Sequence, residues 1–83
     1  MVAVVITESA KKDVRKLPAA VKARVAEAIT ELASYPQVAG IKALKGALAG
    51  KLRVRVGDYR IVFTVSKGML TIDAIADRKE IYD

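Results

Sequence analysis

Lys51, Arg53, Arg55 and Arg60 fall close together in this sequence, and Arg78 and Tyr82 follow at i, i+4 near its end. Arginine presents a planar fork of donors that grips a phosphate through two hydrogen bonds, and lysine adds a compact point charge. Cations gathered round a phosphodiester stabilise its pentavalent, more negative transition state without a metal. RNA carries its own nucleophile, the 2′-hydroxyl next to the scissile phosphate. A histidine-free, metal-free ribonuclease is therefore chemically possible, though these residues do not demand it.

Other chemistries are harder to build. The chain has no histidine and no cysteine, which removes the usual zinc ligands, the usual neutral-pH acid–base group and any disulfide. No metal or cofactor is expected. The sequence holds no glycine-rich phosphate loop, no HExxH, no serine nucleophile motif and no carboxylate pair placed for glycoside hydrolysis. Glu27 and Glu31 share a helix face, and surface solubility explains them.

The net charge of +6 is uneven. Residues 1–41 hold six basic and four acidic side chains, whereas residues 42–83 hold nine and five. The densest stretch sets Lys42, Lys45, Lys51, Arg53, Arg55 and Arg60 against Asp58 alone. Such a patch suits a polyanion, either nucleic acid or an acidic protein segment. The plainer reading is a solvated face that keeps a small protein soluble. No apolar run approaches the ~18–20 residues needed to cross a membrane, so a soluble, cytoplasmic protein is expected.

The elements that must position these cations follow from periodicity. The 83 residues make one small domain, 1–83. Residues 2–6 (VAVVI) form a β-branched run that fits a strand covered on both sides. Thr7 is a candidate N-cap, with Glu8 in the first turn and Ala10, Val14 and Leu17 on one apolar stripe. Pro18 breaks that pattern or starts the next helix, 19–34, whose apolar face is Val21, Val25, Ala28, Ile29 and Leu32. Pro36 ends it. Residues 37–50 read as a loop with Leu44 and Leu48 as anchors.

Residues 52–65 (LRVRVGDYRIVFTV) then form a hairpin about Gly57-Asp58. Alternation places Lys51, Arg53 and Arg55 on one face and Leu52, Val54 and Val56 on the other. Ser66-Lys67-Gly68 is a second turn, and residues 69–76 a third strand with Leu70, Ile72, Ala74 and Ala76 on one face, Thr71 and Asp73 on the other. The fold class is α+β: two layers in the order β-α-α-β-β-β, a helical hairpin on one face of a mainly antiparallel sheet. No helix covers the face that carries Lys51, Arg53, Arg55 and Arg60, which leaves it open to solvent or to a ligand. Tyr59 belongs with the core residues, Tyr35 with packing at the helix end, and Arg55 could simply pair with Asp58 or Asp73.

This element order, with LKG at 44–46, LRVRVGDYRIVF at 52–63 and DRKEIY at 77–82, resembles the RelE/ParE toxin superfamily over nearly the whole chain. The resemblance implies the toxin half of a toxin–antitoxin pair. RelE-type members cut messenger RNA in the ribosomal A site; ParE-type members poison DNA gyrase. For a RelE-type enzyme it implies 2′-hydroxyl attack on the adjacent phosphate, leaving a cyclic phosphate.

The catalytic set carried over is Lys51, Arg53, Arg60, Arg78 and Tyr82, with Lys45 and Arg55 as RNA contacts. Arg60 and Arg78 would clamp the phosphate. Tyr82 would stack on a base or take the 2′-hydroxyl proton, and Lys51 would assist it or hold the backbone. Where the best-known member has a second lysine in the strand, this chain has Arg53, which stays protonated and can act only electrostatically. Some members carry a C-terminal helix after the tyrosine, and none is expected in the residues up to Asp83. ParE-type chains usually lack the full cation-plus-tyrosine set, which favours a RelE-type messenger RNA endonuclease. Gyrase poisoning and a non-catalytic RNA- or partner-binding module are the alternatives. The implied partners are a separate antitoxin protein that wraps the toxin, the ribosome and its messenger RNA; no membrane partner is implied.

Overall fold

The computed structural model describes residues 2–77. Its elements are β1 (Ala3–Ile6), α1 (Glu8–Arg15), α2 (Ala19–Leu32), β2 (Lys42–Ala43), a 3-10 turn (Gly46–Leu48), β3 (Leu52–Val56), β4 (Tyr59–Ser66) and β5 (Met69–Asp77). The strands form one five-stranded sheet in the order β1-β5-β4-β3-β2. β1 runs parallel to β5 and the other neighbours are antiparallel. The expected α+β class is present, with both helices on one face.

Thr7 caps α1: its Oγ1 accepts from Ala10 N at 3.1 Å and donates to Ile72 O at 3.0 Å. Asp13, six residues further on, accepts from Ile75 N at 3.0 Å. Together they satisfy the edge of β5 where β1 has ended, so α1 continues the sheet with side chains. Pro18 takes the N-cap position of α2, and that helix ends at Leu32 rather than at residue 34.

The core lies between the helices and the sheet. Ala10, Leu17, Val25 and Leu32 meet Val54, Val56, Ile61, Phe63, Leu70, Ile72 and Ile75. Phe63 is fully buried, and Tyr35 packs on it edge-to-face with centroids 6.3 Å apart. Burying one such side chain stabilises the fold by about 1.5–3 kcal/mol. Tyr59 is half-buried against the same cluster, as expected.

Three expectations are corrected. β1 is covered on one face only: Val4 and Ile6 pack on the core, whereas Val5 is 41% exposed. The 37–50 segment contains β2, whose two residues pair Lys42 with Arg53 and Ala43 with Leu52. Two residues are too few to show a period. Leu44 is buried there and Leu48 only half-buried.

The third correction changes a whole face. Val62 opposes Ala74 but Phe63 opposes Ile72, so Asp73 is the extra residue of a β-bulge. One inserted residue reverses the alternation beyond it. Ile75 therefore enters the core, while Ala74 and Ala76 join Asp73 on the face away from the helices. No helix among the described residues is long and apolar enough to cross a membrane.

Candidate nucleic-acid interface

The β3–β4 hairpin sets the site. Gly57 adopts φ +60° at the first turn position, which closes Val56 against Tyr59 and fixes Arg55 opposite Arg60 and Arg53 opposite Val62. Val54, Val56 and Ile61 face the helices, so Arg53, Arg55 and Arg60 face the other way. Lys51, two residues before Arg53, joins them.

The face is not uniformly open, as alternation alone suggested. Arg55 is exposed, but Arg53 and Arg60 are only 4% and 6% exposed. A buried guanidinium is costly unless its donors are used. Arg53 Nη1 donates to Gly40 O at 2.8 Å, a bond made possible by β2 running beside Arg53. Around the arginine stems, Leu44, Val62 and Ala76 are buried without belonging to the main core. The small Ala76 stands opposite Arg60, which leaves room for the longer side chain. The result is a second, minor buried layer built on arginine stems.

Lys51 Nζ lies 3.2 Å from Asp73 Oδ2. That distance makes an ion pair, and this buried oxygen has no hydrogen-bond partner among the described residues. Lys45, at the start of the 3-10 turn, is exposed. A cavity of about 420 Å³ opens between the segment 39–42 and Arg53–Arg55. Arg78 and Tyr82 lie outside the described residues.

The structure thus brings Lys51, Arg53, Arg55 and Arg60 onto one sheet face. Arg53 is held by its bond to the Gly40 carbonyl and Arg60 is buried, whereas Arg55 and Lys51 are more accessible. Among the described residues no cluster of His, Cys, Asp or Glu is placed to hold a metal ion. Sequence reasoning weighed Asp73 only as a partner for Arg55. The lone acid in the apolar run LTIDAIA was the available signal; the Gly40 carbonyl carried none.

The family model described as ParE toxin of type II toxin–antitoxin system, parDE, matches residues 4–82. The RelBE2 toxin–antitoxin complex from Mycobacterium tuberculosis is similar at 29% identity and TM-score 0.79, over 93% of this chain and 98% of that one. The RelE–RelB complex from Pyrococcus horikoshii is similar at 26% identity and TM-score 0.75, over 93% and 94%. The RelB–RelE complex from Methanococcus jannaschii follows at 25% identity and TM-score 0.76, over 92% of each chain. Among curated proteins none matches significantly. The RelE-like fold and the family match over almost the whole chain agree: the chain belongs to the ParE toxin family of the RelE/ParE superfamily and is a toxin of a type II toxin–antitoxin system.

Proposed function

We propose that this toxin is a ribosome-dependent endoribonuclease acting in the cytoplasm. The observation that carries the reading is the gathering of Lys51, Arg53, Arg55 and Arg60 on the sheet face opposite the helices. In the reaction the 2′-oxygen bonds to phosphorus, the bond to the 5′-oxygen breaks, and a 2′,3′-cyclic phosphate remains. The 2′-hydroxyl loses its proton and the leaving 5′-oxygen gains one. Arg60 holds the non-bridging oxygens from a fixed position, and Arg53 and Lys51 add charge that grows in value as the phosphorane forms. Arg53 stays protonated throughout. From the family pattern, Arg78 completes the phosphate clamp and Tyr82 stacks on a base or receives the 2′ proton. Lys45 and Arg55 contact RNA outside the scissile phosphate.

The partner that restrains it is a cognate antitoxin, a reading supported by its similarity to RelE toxins solved with their antitoxins. An acidic, amphipathic segment suits the basic face and the helix surface. Gyrase poisoning is the second reading, favoured by the ParE description of the family model. Induction of wild-type toxin and of Arg78→Ala in cells tests the first. Growth arrest with cut transcripts in the wild type, and neither in the variant, supports it. Arrest with intact transcripts and inhibited supercoiling favours the second.

A further inference from the structure

We propose that Asp73, the extra residue of the β5 bulge, is a positioning residue that holds the Lys51 ammonium over the middle of the phosphate-binding face. The inference rests on the endoribonuclease reading of that face. Lys51 precedes β3, Asp73 sits on β5, and β4 runs between them. A contact of 3.2 Å between their side chains must therefore pass over β4, near Val62 and Phe63, on the strand that also carries Arg60. Without Asp73, a lysine with four rotatable bonds next to the sheet edge has no reason to lean inward. With it, Nζ is drawn inward across β4, on the face that also carries Arg60.

The pair differs from an ordinary surface salt bridge, which contributes little. The side chains of Lys51 and Asp73 are 36% and 23% exposed, and Asp73 Oδ2 is buried with no hydrogen bond among the described residues. Lys51 is thus the charge that compensates this oxygen, and the carboxylate in turn limits where the ammonium can go. An ammonium has three donors, so contact with one carboxylate oxygen leaves others for a phosphate. The bulge contributes too. It keeps Asp73 on this face while returning Ile75 to the core, and bulges recur beside active sites where they set a side chain's direction.

Single-turnover cleavage of messenger RNA on saturating programmed ribosomes tests this with Asp73→Asn, Asp73→Glu, Lys51→Met and the Lys51→Met/Asp73→Asn pair. Asp73→Asn is expected to slow cleavage roughly ten- to a hundred-fold, the scale of a misplaced group, with ribosome affinity unchanged. Asp73→Glu is expected to recover part of the loss. In the Lys51→Met background Asp73→Asn is expected to change nothing, because the group it positions is gone. Cleavage by Asp73→Asn at or above the wild-type rate overturns the role, as does an equal loss in the Lys51→Met background. Absence of cleavage by the wild type overturns the endoribonuclease reading itself, and this role with it.

Discussion

Arg55 and Arg60 stand directly opposite each other across the β3–β4 hairpin, one exposed and one only 6% exposed. Opposed like charges destabilise a strand pair. The register is nevertheless set by the Gly57-Asp58 turn and by the need to turn Val54, Val56 and Ile61 toward the helices. The fold therefore sets two arginines side by side on the face away from the helices.

Arg60 is expected to matter through its fork as well as its charge. Arg60→Ala should slow cleavage roughly a hundredfold, the scale of one lost transition-state donor. Arg60→Lys keeps the charge and should recover only part of that rate. Single-turnover rates beside thermal melts separate the loss from unfolding; wild-type cleavage by Arg60→Lys would show that the fork is unimportant.

Ala76 is expected to resist enlargement. It is buried opposite Arg60, so Ala76→Leu should overpack this minor layer at a cost of about 1–3 kcal/mol. Urea unfolding measures the loss.

The Thr7 hydroxyl both caps α1 and donates to the β5 edge. Thr7→Val keeps the shape and removes the cap and the bonds to the Ile72 and Asp73 carbonyls. The expected loss is about 1 kcal/mol, seen as a fall in melting temperature of roughly 4–8 °C for a domain of this size.

Gly57→Ala is expected to destabilise the hairpin by about 1–2 kcal/mol, because φ is +60° and a Cβ makes that region unfavourable. A Cβ there would also lie 3.2 Å from Arg24 Nη1. That head group is flexible and can withdraw, so the backbone dominates. Gly57→Asn should cost less, as asparagine tolerates this region.

Binding to RNA is expected to weaken steeply with salt. Arg55 is the exposed member of the arginine set, so Arg55→Gln should lower the log–log salt slope by about 0.7, the single-strand value for one phosphate contact. An unchanged slope would place Arg55 outside the RNA contacts.

Much of this architecture was legible in local pattern. Thr7 followed by Glu8 marked a helix start, the alternation in 52–56 put the cations on one side, and Gly57-Asp58 marked the turn. What stayed hidden depends on non-local pairing. β2 exists because Lys42 and Ala43 lie beside Arg53 and Leu52. The bulge at Asp73 depends on how β5 meets β4, so alternation sent Ala74 and Ala76 to the wrong face. The burial of Arg53 needs a backbone carbonyl 13 residues away, which no side-chain pattern announces. The pairing of Lys51 with Asp73 spans a strand and has the same cause.

The most direct test adds purified toxin to ribosomes programmed with a defined message and halted with an empty A site, then maps the message ends. The expected result is a cut within the A-site codon that leaves a 2′,3′-cyclic phosphate, made by the wild type and lost in Arg60→Ala. An intact message from a folded toxin that still arrests growth would contradict the endoribonuclease account.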